Sequence, residues 1–381
     1  MKTTPDILSG RFHFLDLLRG IFILVMVEGH TLRALLDPAI QAGAVYHTQD
    51  LIHNLTGPAF LFAAGIAFCL SFHRHWESRR RWDSRLRGRL RRWLAVLVMG
   101  YALQLTFFSL RRTMRETTPE QLANLLSMNI LQCIIVSLLL LQVLLLVVPG
   151  RTAFFRSALT LAVGIALATP FLWRAAPHLP LWVGTLVGSH WGSIFPLFPY
   201  GGFAFAGAAW GHLFFMARER GQEPRFLRHS LRFSAVAGAG SILIALAPLP
   251  EIYSDFWYTS PLFFFLRVAI LAAVAAGLRQ VEPRVLSRGR LLVVAGQESL
   301  LIYVVHLPIL FGSAWNPDTG LVKLLGTALP VAEAVLVWVL LTAVLVLLAC
   351  WWSWWKQSSG WRAAAAKWWL AGYFTYAFLT A

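Results

Sequence analysis

Apolar runs of about twenty residues recur along the whole chain, separated by short polar or charged stretches. A run of that length crosses the ~30 Å hydrocarbon core of a bilayer as an α-helix. The alternation predicts helices near residues 14–36, 51–73, 93–110, 124–148, 152–172, 192–216, 233–250, 261–279, 291–313 and 328–352, with a shorter eleventh candidate at 366–380. No internal repeat, low-complexity tract or soluble-domain-sized segment interrupts the series. Residues 1–381 are therefore expected to form a single integral-membrane domain, an all-α polytopic bundle of ten or eleven transmembrane helices.

Composition agrees with that pattern. The chain is 58% hydrophobic and 13% charged, about half the charge of a soluble domain. Its 33 basic and 17 acidic side chains give a net charge of +16, which in a soluble protein would suggest a nucleic-acid partner. Here the basic residues sit in alternate loops, so no nucleic-acid partner is expected. The loop at 74–92 holds nine Arg, 217–232 five and 279–290 four, and one side collects 25 basic residues against six on the other. The positive-inside rule then puts the N-terminus and the Arg-rich loops in the cytoplasm. Trp351, Trp352, Trp354 and Trp355 fall at the cytoplasmic end of the tenth helix, where an interfacial aromatic belt explains them.

The run from Arg79 to Arg92 has two readings. It is a topogenic loop that touches anionic headgroups, or a basic mouth that attracts a polyanionic cytosolic cofactor. The first apolar run contains Asp16 and Arg19 and ends without a small-residue cleavage site, so it is expected to remain as helix one. With the Arg-heavy composition, this points to a bacterial inner membrane. Cys69, Cys133 and Cys350 all lie in apolar runs without metal-like pairing, so neither a disulfide framework nor a zinc site is expected.

Titratable groups inside spans are costly and mark candidate chemistry. Helix one carries Asp16, Arg19, Glu28 and His30. Arg19 and His30 are eleven residues apart, which is about 20° beyond three full turns and roughly 16 Å along the axis. Both therefore share a face, with Arg19 near the cytoplasmic entrance and His30 deep. Asp16, three residues before Arg19, is placed to pair with it. One reading is an elongated anionic cofactor such as acyl-coenzyme A, anchored by phosphate near Arg19, with His30 as general base. The other is a buried ion pair and a hydrogen-bonded histidine lining a polar crevice.

The ninth helix carries a second group, Gln297, Glu298, Ser299, Tyr303 and His306. Tyr303 and His306 are helical neighbours, and His306 reaches a depth similar to that of His30. Asn129 and Gln132 in the fourth helix are amides placed to bind a cofactor or to staple helices. Arg267 in the eighth has Glu298 or a bound phosphate as candidate partners. Phe195 to Gly202 contains two prolines and two glycines, which break a helix where backbone lines a cavity or kinks for packing. Gly207 and Gly211 follow as a small-residue pair for close helix contact.

Leu15-Asp16-Leu17-Leu18-Arg19-Gly20, followed by His30, resembles the opening helix of the transmembrane acyltransferase superfamily. That superfamily includes the acyltransferase-3 group, which shares the Arg-to-His spacing, and bacterial relatives of heparan-alpha-glucosaminide N-acetyltransferase, to which the rest is more similar. Leu55 to Gly65, Asn129-Ile130-Leu131-Gln132, Phe195 to Gly211 and Gly296 to His306 resemble successive signatures of these relatives. The resemblance runs from about residue 11 to 313.

The resemblance implies acetyl transfer, or transfer of another short acyl group, from cytosolic acetyl-CoA to a saccharide on the far side of the membrane. It implies His30 as general base, with His47 or His53 as candidates for a later histidine that one branch uses; no serine or cysteine stands next to His30, which favours direct transfer. On that mechanism Asp16, Arg19, Asn129, Gln132, Arg267 and Ser299 are expected beside the cofactor. Glu28, Glu298 and Tyr303 fall beside the acceptor, and His306 binds the acceptor or stabilises the oxyanion. The partners are acyl-CoA, a saccharide and the lipid bilayer, with no metal cofactor; a homodimer is left open. The rival reading is a proton-coupled transporter or flippase of a glycan or lipid-linked substrate, in which the same buried residues form a proton relay.

Overall fold

The computed structural model describes residues 12–73, 76–247, 250–253, 255, 257–286 and 290–381. Lys2, Arg11, Arg74 and Arg288, counted above toward the basic side, lie outside the described residues. Every described element is a helix, apart from one isolated bridge between Leu36 and Leu329. The principal helices are α1 (His13–Leu35), α2 (Ala44–His53), α3 (Thr56–His73), α4 (Ser84–Ala102), α5 (Ile130–Val147), α6 (Arg151–Ala175), α7 (Leu197–Glu219), α8 (Glu223–Ala245), α9 (Pro261–Leu286), α10 (Arg290–Gln297), α11 (Ser299–Phe311), α12 (Val331–Ser358) and α13 (Gly360–Thr380). The all-α polytopic bundle expected from the hydrophobic pattern is the fold observed.

Among the described residues, five helical stretches are long and apolar enough to cross a membrane by themselves: Ala44–His73, Ile130–Val147, Arg151–His178, Pro261–Glu282 and Val331–Ser358. The bent pair α10 and α11 makes a sixth if counted as one span. The other expected spans also form helices, but charge in α1 and α4, and glycine, proline or aromatic residues elsewhere, lower their hydropathy. The chain is an integral membrane protein.

Several boundaries differ from the hydrophobic pattern for local reasons. The helix expected at 93–110 starts nine residues earlier, because the Asp83 carboxylate accepts the Leu86 N–H at 2.8 Å and caps α4. That bond holds the Asp83 carboxyl below its ordinary range. Five arginines, Arg85, Arg87, Arg89, Arg91 and Arg92, therefore lie on helix rather than in a loop. The span expected at 51–73 is preceded by α2 and interrupted at Asn54 and Leu55. The one expected at 291–313 is broken at Glu298, with α10 and α11 bent by 76°. The short candidate at 366–380 becomes a helix of 21 residues.

The chain divides into two compact units. The first comprises the described residues within 12–18, 57–100 and 126–284. Its centre is α7, in which every residue from Gly201 to His212 is buried. This burial is possible because glycine lets backbones approach closely. A Cβ at Gly65 of α3 would overlap the Ala204 carbonyl, and one at Gly207 of α7 would overlap the Phe62 carbonyl. Gly211 packs in the same way on Ile66. The expected small-residue contact thus has α3 as its partner.

The break expected at the head of α7 is also present, with Phe198 at φ −106°, ψ 115°. Its carbonyl is satisfied by Trp173 Nε1–H of α6 at 2.7 Å, as a freed backbone group in an apolar setting requires. The segments leading into α5 and α7 are braced together. Phe195 N–H donates to the Met128 carbonyl at 2.9 Å, and Met128 N–H donates to Ser193 Oγ at 2.8 Å.

The second unit comprises residues 19–56, 101–125 and 285–381. The end of α1 is tied to the start of α12 by Asp37 N–H to Leu329 O (3.0 Å) and Leu329 N–H to Leu35 O (2.8 Å). Leu32, Leu36 and Ala334 form a small core under that tie. A Cβ at Gly20 would overlap the Leu292 carbonyl, so α1 meets α10 backbone to backbone. Phe108, Trp315 and Phe374 cluster edge to face, with Phe378 tilted against Phe108, and hold α13.

Replacing Gly207 by Leu is expected to destabilise the protein by ~3 kcal/mol or more through collision with the α3 backbone. Gly88→Leu, at a position open to its surroundings, is the control. Thermal unfolding of both variants in detergent checks this; equal unfolding temperatures would contradict the close α3–α7 contact.

Candidate functional site

In the second unit, α1 and α11 bring two histidines together. His30 Nδ1 lies 2.9 Å from His306 Nε2. The rings are nearly parallel, 19° apart in plane, with centroids 5.2 Å apart. His306 is fully buried, and its Nδ1 lies 3.0 Å from the Ile302 carbonyl. A carbonyl only accepts, so His306 Nδ1–H donates to it. His306 Nε2 is then the acceptor for His30 Nδ1–H when both rings are neutral. That order leaves the lone pair on His30 Nε2 as the free basic site. A histidine oriented by a second group through its other nitrogen is the arrangement general-base catalysis uses.

Tyr303 stands edge-on to His306 at 5.7 Å, and Phe311 edge-on to His30 at 6.2 Å. Two positions that the sequence put at similar depth are thus in direct contact. Helical spacing placed each one on its own helix, but only the packing of α1 against α11 made the pair.

Glu28 organises a second polar group in the same unit. Gln49 donates to its Oε1, and His53 Nε2 lies 3.6 Å from its Oε2. His53 Nδ1 is 3.7 Å from Asp50 Oδ1, and Asp50 in turn accepts from Arg33. The imidazole of His53 is buried against Gly29, where a Cβ would come within 2.8 Å of the ring. His47 is exposed on α2, with its backbone N–H bonded to Gly43. Of the two later histidines, His53 is therefore the one the fold carries into a buried acidic setting. Gln49 and Asp50 were missed by sequence reasoning; their spacing from His53 on a short helix was the available signal.

Glu298 sits at the break between α10 and α11, with its side chain 8% exposed, and pairs with Lys356 of α12. Its partner is that lysine, which corrects the candidate pairing with Arg267. Ser299 opens α11 and is half-buried. Arg19 is half-buried on α1 beside the tight contact at Gly20.

The first unit contains the other candidates. Asp16 is buried, with its carboxylate 3.7 Å from His13 Nδ1. Asn129 is not on a helix face, as its expected place in helix four required. It is the extended residue before α5 (φ −98°, ψ 179°), because the helix begins only where Ile130 follows the braced Met128. Gln132 is fully buried, and its amide packs at Gly100 of α4.

Arg267 is 3% exposed and held among aromatic rings. Its guanidinium carbon lies 4.1 Å from the Phe263 centroid, 5.2 Å from Phe203 and 5.8 Å from Tyr200, and Nε–H donates to the Phe263 carbonyl at 3.4 Å. Ring faces partly replace the water that a buried guanidinium loses, a contribution of about 2 kcal/mol when desolvated.

The family model described as heparan-alpha-glucosaminide N-acetyltransferase, catalytic, matches residues 11–249. No curated protein matches the chain.

Substituting Lys356 by Met leaves Glu298 buried without its cation. The expected cost is about 2 kcal/mol, a buried-pair figure discounted because the lysine is one-third exposed. Lys356→Arg is expected to retain most of the stability. Thermal unfolding of the two variants against wild type checks the pair, and equal loss in both would contradict it.

Proposed function

Because the chain belongs to the heparan-alpha-glucosaminide N-acetyltransferase catalytic family of membrane acetyltransferases, we propose that it moves an acetyl group from cytosolic acetyl-CoA to a saccharide across the bilayer. The observation that carries the assignment of chemistry is the His30–His306 pair, with His306 locked to the Ile302 carbonyl. His30 Nε2 takes the proton from the acceptor amine or hydroxyl as that atom attacks the thioester carbonyl carbon. The tetrahedral intermediate collapses, the carbon–sulfur bond breaks, and the departing coenzyme A thiolate takes the proton back from the imidazolium. His306 acts as a positioning residue that sets the tautomer of His30.

Direct transfer is the reading favoured by what touches His30. Its ring contacts are Phe311, which has no nucleophilic atom, and His306, whose two nitrogens are engaged by the Ile302 carbonyl and by His30 itself. The neighbouring Thr31 hydroxyl is buried and donates to the Val27 carbonyl at 2.7 Å. Glu28 and His53 supply a polar, partly charged wall suited to a saccharide, which offers hydroxyl or amino donors and acceptors. Arg19 is assigned to the phosphate end of the donor. The exposed arginines of α4, Arg85, Arg87, Arg91 and Arg92, give a basic surface that raises the local concentration of a polyanion. Loop charge supports a cytoplasmic N-terminus in this reading, and the Arg-heavy composition supports a bacterial inner membrane.

The transporter reading draws on two broken helices, α7 and the α10–α11 pair, since discontinuous helices also build transport sites. Acetyl-CoA binding separates the two. Purified protein is expected to bind acetyl-CoA, and Arg19→Ala to weaken that binding at least ~10-fold, a loss of about 1.4 kcal/mol. No binding to folded wild type would favour the transporter. His30→Asn is expected to keep acetyl-CoA binding and to lose ~10²–10⁴-fold in turnover, the range of a missing general base. Single-turnover acetylation of a saccharide panel measures this, and full turnover in His30→Asn would overturn the base assignment.

A further inference from the structure

The first unit holds a buried cluster of donor atoms that the proposed acetyl transfer does not use. Cys69 and His73 lie four residues apart on α3 and so share a face. His212 comes from α7, which packs against α3 through Gly207 and Gly211. One donor atom from each of the three side chains lies within 4.8 Å of the other two. Cys69 is fully buried, His73 is 1% exposed and His212 5%.

Two further observations point to a ligand. His73 Nε2 and His212 Nδ1 are both buried and have no hydrogen-bond partner, although buried polar atoms are ordinarily satisfied. The opposite nitrogen of His73 is committed: Nδ1 lies 3.1 Å from Glu219 Oε1. A carboxylate accepting from one imidazole nitrogen fixes the tautomer that turns the other nitrogen's lone pair outward, the support that metal-ligating histidines typically have. Glu219 is itself held, with Arg151 Nη1 3.8 Å away, while Arg151 Nη2 donates to the His73 carbonyl at 2.9 Å. Phe155 stacks on His212 with ring centroids 5.4 Å apart and limits its rotation.

We propose that Cys69, His73 and His212 bind one divalent metal ion of the zinc class. A thiolate with two imidazoles is a borderline-soft donor set, which suits zinc better than magnesium or calcium. An ion drawing the donors in to ~2.0–2.3 Å would staple α3 to α7. It would leave the fourth tetrahedral position to water or an exogenous ligand. Binding breaks the Cys69 S–H bond, forms the metal–sulfur bond and releases the proton to solvent. Cysteine spacing alone showed no such site because its third ligand lies 139 residues away from His73 in the chain. The proposal is independent of the acetyltransferase reading, and its test needs no activity.

The experiment is a titration of metal-stripped, detergent-purified full-length protein with Co²⁺, followed by absorption spectroscopy. Wild type is expected to take up one equivalent, with a thiolate-to-cobalt charge-transfer band and the intense visible bands of four-coordinate cobalt, and Zn²⁺ is expected to displace both. Cys69→Ala should remove the charge-transfer band. His212→Gln should weaken binding by at least ~100-fold and Glu219→Gln by ~10–100-fold. Absence of the band in wild type would overturn the proposal without reference to any variant. So would an unchanged band in Cys69→Ala, which would assign the thiolate to Cys133 or Cys350. Circular dichroism and gel filtration establish that each variant compared is folded.

Discussion

A polar group inside hydrocarbon has to find its partner within the protein, because no water is there to supply one. That constraint accounts for most of the internal detail of this molecule. The Phe198 carbonyl, freed where Phe198 leaves the helical conformation, is met by the Trp173 indole. Glu298, at the break between α10 and α11, is met by Lys356. His306 is met on both sides, by the Ile302 carbonyl and by His30. Arg267 is surrounded by the faces of Phe263, Phe203 and Tyr200.

These satisfactions depend on close helix approach, and glycine provides it. In one unit, Gly65, Gly207 and Gly211 let α3 lie directly on α7, which carries the Cys69–His73–His212 cluster with it. In the other, Gly20 brings α1 onto α10, and Gly29 leaves room for the His53 ring beside Glu28. Both devices remove side-chain volume next to a polar residue. In each case the interior retains a titratable group that a more bulky sequence would have excluded.

The residues of the candidate site were legible in unequal measure. His30, His306, Arg19 and Glu298 stood out because each is costly in an apolar run. Their individual positions required only helical periodicity. His53 was harder to separate from His47, since both lie in the same polar stretch; burial against Gly29 and the two carboxylates distinguishes them. Asn129 read as a helical residue because hydropathy does not see the extended conformation imposed by the brace between Met128 and Phe195.

The sequence by itself determined an all-α membrane bundle, the approximate spans and the family, because these follow from local quantities: run length, charge placement and short motifs. Tertiary structure alone decided which polar residues meet. The contact of His30 with His306 joins residues 276 apart, and that of Glu298 with Lys356 joins residues 58 apart. Neither distance is encoded in a helical period. Each is set by how two helices cross, and the crossing depends on which backbone surfaces glycine leaves bare.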